Sequence, residues 1–105
     1  MFSFDGFIDC DLDGDGEMER VTFFTGGNNI DLERGWDLGA HTIIKEKTHQ
    51  IWFNSIGSVK SAAIFTFYDN RQGVLVVVYG NIGDMLYLLS FEEGELSVQL
   101  LLGTT

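Results

Sequence analysis

Five carboxylates stand at alternate positions in the run Asp11-Leu12-Asp13-Gly14-Asp15-Gly16-Glu17-Met18-Glu19. That pattern suits a hard cation. Calcium takes six to eight oxygen ligands, drawn from carboxylates and carbonyls around a tightly turned backbone. In the register that begins at Asp11, Asp13 and Asp15 follow at steps of two and direct their carboxylates into one concavity. Gly16 permits the sharp turn that a side chain would oppose. The backbone carbonyl of Glu17 comes next, and the Glu19 carboxylate closes the ring. A second register uses Asp9, Asp11, Asp13, Gly14 and Glu17. The first is preferred because Glu19 directly precedes the apolar stretch Val21–Phe24, which would anchor it. Without a cation these carboxylates repel one another, so a structural calcium site is expected here rather than a bare acidic turn. Magnesium fits less well, since it prefers fewer protein ligands and keeps its waters.

Other residues capable of chemistry read more plainly. An EF-hand would need a bidentate Glu at its twelfth loop position, where the two registers place Thr22 or Arg20. His41 and His49 flank an expected turn at Glu46-Lys47-Thr48 and would face each other across a hairpin. With no Cys nearby and Glu46 the only close carboxylate, they read as surface histidines rather than a zinc site. No Gly-x-Ser-x-Gly elbow occurs. The single cysteine, Cys10, sits between Asp9 and Asp11, whose charges disfavour a thiolate; it reads as a small buried residue. Trp52 is expected in the core. Trp36, in the long connection Gly26–Gly39, is expected to cap it, and that connection is the expected binding loop.

The elements that must position the acidic loop are short strands. Candidates are Phe2–Ile8, Glu19–Thr25, Ala40–Glu46, Gln50–Phe53, Ala62–Tyr68, Val74–Tyr79, Met85–Phe91 and Leu96–Leu102. Gly, Asn and Asp clusters separate many of them, and links this short favour antiparallel neighbours. The fold class is therefore all-β: an antiparallel meander of about eight strands. Val74–Tyr79 is apolar throughout, so both of its faces are expected to be covered, as in a sandwich or in stacked blades. Only Ile30–Leu38 reads as helical, and Gly35 would make it irregular. Residues 15–26 can be laid over residues 69–80 as turn, strand and glycine, suggesting two units of four strands.

Bulk properties agree with one packed domain. The chain has 105 residues, 45 % of them hydrophobic, including nine Phe. Sixteen acidic residues against six Lys and Arg give a net charge of −10, which disfavours binding to a nucleic acid backbone. Seven of the acids fall within the first nineteen positions, so the acidity is partly one local cluster. No apolar run approaches the roughly 20 residues of a membrane-spanning helix. The first residues lack the basic and apolar regions of a secretory signal.

The acidic run resembles the calcium loop of FG-GAP or VCBS-type repeats, the integrin-like β-propeller family. There an Asp-x-Asp-Gly-Asp-Gly-x-x-Asp or Glu loop leads straight into a strand of a four-stranded blade, as Arg20–Phe24 would here. The resemblance implies Asp11, Asp13, Asp15 and Glu19 as side-chain ligands and Glu17 as a carbonyl ligand. It also implies that Leu86–Phe91 and Glu93–Leu96 form the hairpin closing a second blade, whose own turn, Asp69-Asn70-Arg71-Gln72, lacks the ligands. Two blades cannot close a ring of four to eight. They would pack as a sandwich, associate with further copies, or form part of something larger.

The expected function is a non-enzymatic, calcium-braced β module that binds another protein. A physiological calcium site would suit an extracellular or periplasmic setting, because weak sites fill at roughly 0.1–1 mM. The alternative is a small acidic inhibitor, of the immunity-protein kind, that blocks a basic partner surface by charge. A hydrolase using the loop as its metal site is the least favoured reading, since no nucleophile or general base lies beside it in sequence.

Overall fold

The computed structural model describes residues 6–26, 37–56, 58–79 and 83–103. Eight antiparallel strands form two four-stranded sheets, each a meander with neighbouring strands in chain order. The first sheet contains β1 (Phe7–Cys10), β2 (Glu19–Gly26), β3 (Asp37–Ile44) and β4 (Lys47–Ile56). The second contains β5 (Ser58–Thr66), β6 (Gln72–Tyr79), β7 (Asp84–Glu92) and β8 (Glu95–Gly103). Among the described residues none is helical. The expected helix at 30–38 lies outside them, except that Asp37 and Leu38 begin β3. Trp36 and most of the 26–39 connection also lie outside the described residues.

The core lies between the sheets because alternate side chains of each strand point inward. Val21, Phe23, Ala40 and Phe53 come from the first sheet; Val74, Val76, Val78 and Leu89 meet them from the second. Aromatic rings cross the gap. Phe53 stands between Phe23, at 6.1 Å, and the edge of Tyr87, at 5.2 Å. His49 reaches across to Phe91, ring centroids 5.0 Å apart. Burying such side chains stabilises the fold by about 1.5–3 kcal/mol each.

Several expectations need correction. Trp52 is not in this core. It lies half-buried on the outer face of the first sheet, edge-on to Phe24 at 5.2 Å. Gly39 lies beneath that pair, and a Cβ there would come within 2.7 Å of the Phe24 ring. His41 pairs with Gln50 and Thr42 with His49, so the two histidines point to opposite faces of the sheet. The hairpin turn is Lys45-Glu46, one residue earlier than expected, and both residues adopt positive φ (50° and 69°). β6 is covered on its inner face alone: Leu75 and Val77, on the other side, are half-buried.

Candidate metal centre

The loop between β1 and β2 is folded by its own carboxylates. Asp11 Oδ1 accepts the backbone N–H of Gly14 (2.9 Å) and of Asp15 (3.1 Å), while Oδ2 accepts that of Gly16 (2.8 Å). Asp15 Oδ1 accepts Glu17 N–H at 2.9 Å. These are the local turns that Asp favours because its short side chain can reach its own downstream backbone. Gly14 and Gly16 adopt φ of +76° and +92°, a region costly for residues with a Cβ. A Cβ on Gly14 would also come within 3.1 Å of Arg71 Cγ.

Three further contacts fix the loop to the fold. Leu12, wholly buried, turns into the core, so the carboxylates on either side of it point away from the apolar interior. Its N–H donates to Glu19 Oε1 at 2.9 Å. Asp11 is clamped to the second sheet in both directions: its N–H donates to Gln72 Oε1 and its carbonyl accepts Gln72 N–H, each at 2.8 Å. The loop thus sits where the ends of the two sheets meet.

Carboxylate oxygens of Asp11, Asp13, Asp15 and Glu19 lie within 4.8 Å of one another. Four of the five expected site residues are therefore brought together by their side chains. The Glu17 side chain is exposed and stands outside the group. Asp9, from the second register, points elsewhere and pairs with Arg20 at 2.9 Å. These four carboxylates are close enough to bind a metal ion.

Asp13 carries the strongest signal. Its side chain is only 10 % exposed, and its buried Oδ2 accepts no hydrogen bond. The Lys45 ammonium, 3.9 Å away and itself largely exposed, is within ion-pair reach but beyond hydrogen-bond distance. A buried acceptor without a donor costs about 1–3 kcal/mol, more when charged. Burial, and the neighbouring Asp15 carboxylate, raise the Asp13 carboxyl above its ordinary range. Burial likewise raises Glu19, partly offset by the Leu12 N–H, and the charges of Asp13, Asp15 and Asp11 add to the rise. Asp15 is held low, chiefly by the Glu17 N–H. A cation among these oxygens would supply the missing partner and relieve the repulsion.

Compared with known proteins, the chain matches no family model, no curated sequence and no solved structure. The loop must therefore be read from its own geometry. Other residues with chemical potential are placed unproductively. Cys10 is buried, and its thiol is pushed up to about 12 by burial and by the charges of Glu19, Asp11 and Asp9. His41 packs on Phe24 at 5.6 Å.

Sequence reasoning missed Leu12, Gln72 and Lys45. Leu12 had a signal, as an apolar residue among acids. Gln72 and Lys45 had none, because their roles depend on contacts 61 and 32 positions from Asp11 and Asp13.

Proposed function

We propose that this protein is a calcium-braced β module, in which the ion is structural and the module serves binding rather than catalysis. The observation that carries the reading is Asp13 Oδ2: a buried carboxylate oxygen without a donor, set among three more carboxylates. Calcium is favoured over magnesium by the number of protein carboxylates offered. The spread of the oxygens also suits it, since opposite ligands around calcium stand about 4.6–5.2 Å apart. Asp11 and Glu19 would ligate while their other hydrogen bonds to Gly14, Asp15, Gly16 and Leu12 hold them in place. The sequence pattern, similar to FG-GAP-type loops, points the same way.

The brace would act at the junction of the sheets. Glu19 opens β2 of the first sheet, and Asp11 is bonded to Gln72 at the start of β6 in the second. An ion held by both residues therefore ties the ends of the sandwich together.

Thermal unfolding in EDTA, then in about 2 mM calcium, tests this. Binding to the native state alone stabilises it by RT ln(1 + [L]/Kd), so a Kd of about 20 μM adds roughly 2.7 kcal/mol. For a chain of this length that is a rise in midpoint of roughly 10–20 °C. Magnesium at the same concentration should do much less. An unchanged midpoint would reduce the loop to an acidic turn and favour the acidic-inhibitor reading, to be pursued with a basic protein partner.

A further inference from the structure

Among the described residues, one face of the second sheet has no further layer packed on it. Val74, Val76, Val78, Tyr87 and Leu89 point into the core, so the intervening residues of β6 and β7 point outward. The register sets Leu75 beside Leu88 and Val77 beside Leu86. It continues outward to Ala63 on β5 and Leu102 on β8. The four central side chains are half-buried, and at one end of the face the Phe67 ring lies beside Leu88 over Gly73. Leu102 is 66 % exposed and Ala63 is exposed.

Charge is confined to the ends of this face. Lys60 and Asp84 pair at 2.9 Å at one end, and Glu92 and Glu95 lie opposite each other at the other. Between them the polar positions are uncharged: Ser61, Ser90, Ser97 and Gln99. The outer face of the first sheet differs, since the Asp9–Arg20 pair lies on it and Phe24, His41 and Trp52 pack against one another there. Large exposed apolar patches on a soluble chain mark interaction sites.

We infer that this face is covered by a second copy of the chain, packed sheet to sheet about a twofold axis through the β6–β7 contact. Such an axis sets Leu75, Val77, Leu86 and Leu88 against the same four residues of the copy, which makes the surface self-complementary. Four strands spaced about 4.8 Å apart, each eight or nine residues long, cover roughly 500 Å2 per copy, charged ends included, or about 1,000 Å2 for the pair, the lower bound for a specific interface. Two molecules of charge −10 repel wherever their acids meet, so they associate most favourably through a surface whose middle is uncharged. A basic partner drawn by that charge would instead be steered to the acids, away from this face. The inference is independent of the metal reading.

The test is mass in solution with calcium present, by sedimentation or light scattering, at about 100 μM protein and about 0.15 M salt. Twice 11.8 kDa is expected, with association strengthening as salt screens the repulsion. Val77→Lys and, separately, Leu102→Lys should each weaken the dimer at least tenfold while keeping the β-sheet circular dichroism and the calcium response. Leu102→Lys changes a largely exposed side chain, so it tests the face without burdening the core. A wild-type mass of 11.8 kDa would overturn the inference, as would a dimer that survives both variants or dissociates with added salt. Loss of the calcium response in wild type, with the dimer intact, would instead count only against the metal reading.

Discussion

The β1–β2 loop and the β5–β6 turn hold the same place in their sheets, each closing the first hairpin of a four-stranded meander. They also touch, since Arg71 lies against Gly14 and Gln72 clamps Asp11. Their electrostatics differ. In the second turn, Asp69 has a cation of its own chain: Arg71 donates its Nε–H to Asp69 Oδ2 at 2.8 Å and its backbone N–H to Oδ1 at 3.2 Å. In the first, four carboxylates converge, and the nearest ammonium, on Lys45, stands 3.9 Å from Asp13. One turn carries its counter-charge in its own chain; the other gathers four carboxylates close enough to bind a metal ion. The same backbone plan thus yields a self-paired turn in one sheet and, on the proposed reading, an ion-dependent one in the other.

The largest effect that could break this contrast comes from Asp13→Asn. In calcium it should lose most of the roughly 2.7 kcal/mol expected of the proposed ion. In EDTA it should raise the midpoint, by about 1 kcal/mol, because an unpartnered buried charge is removed. Asp69→Asn should do neither: it should lower the midpoint slightly and leave the calcium response intact. Paired melts of the two variants read both signs, and a fall for Asp13→Asn in EDTA would refute the contrast.

Next is Gln72→Ala, which removes the side-chain half of the clamp. The loss should be about 1 kcal/mol with or without calcium. Urea midpoints measure it, and an effect confined to the calcium-loaded protein would show that the clamp matters only through the ion.

The pH dependence should also separate the two turns. Asp13 and Glu19 have raised carboxyls in the fold, so in EDTA their contribution is complete below their ordinary values of 3.8 and 4.5 and is lost as pH rises through the folded values. Asp69 is lowered, first by its hydrogen bond from Arg71, so its contribution is present above 3.8 and lost as pH falls through its folded value. Glu19→Gln, measured in EDTA between about pH 4 and 7, should therefore gain on wild type as pH rises. Calcium stabilisation should increase over the same range, because the ion needs ionised ligands. A gap that closes with pH would contradict the Glu19 assignment.

The smallest effect is expected from Glu17→Gln. Its carboxylate lies outside the cluster, so calcium affinity by titration should change less than about threefold, under roughly 0.7 kcal/mol. A tenfold loss would make Glu17 a side-chain ligand.

Much of this was legible in the chain because strands and Asp-rich turns announce themselves locally. Alternating or continuous apolar runs located seven of the strands; the first, expected at Phe2–Ile8, is Phe7–Cys10, and residues 2–5 lie outside the described ones. Gly94 marked the β7–β8 turn, where Glu93 and Gly94 both take positive φ. The β3–β4 turn needs the same conformation but fills it with Lys45 and Glu46, so no glycine or asparagine betrays it. That one-residue error also put His41 and His49 on a common face. β4 is longer than Gln50–Phe53 because its outer face is polar and exposed at Thr48 and Gln50, and on its inner side the strand begins with an exposed Lys47. Trp52 was placed in the core by its size; the sheet register, invisible locally, sets it outside over Gly39. Of the metal centre, the ligand spacing was legible, whereas the burial of Asp13 depends on elements distant in sequence.

The order of the strands has a consequence for synthesis. Each sheet pairs its strands strictly in chain order, so the first is complete once residue 56 has emerged. The second ends at residue 103, and at about 5–20 residues per second a ribosome needs roughly 2–9 s to make it. Throughout that interval Val21, Phe23, Ala40 and Phe53 face water. The Asp11–Glu19 loop is already made, but its clamp at Gln72 is not. A nascent first sheet therefore waits for its other half with its core side bare and its acidic loop tethered at one end alone.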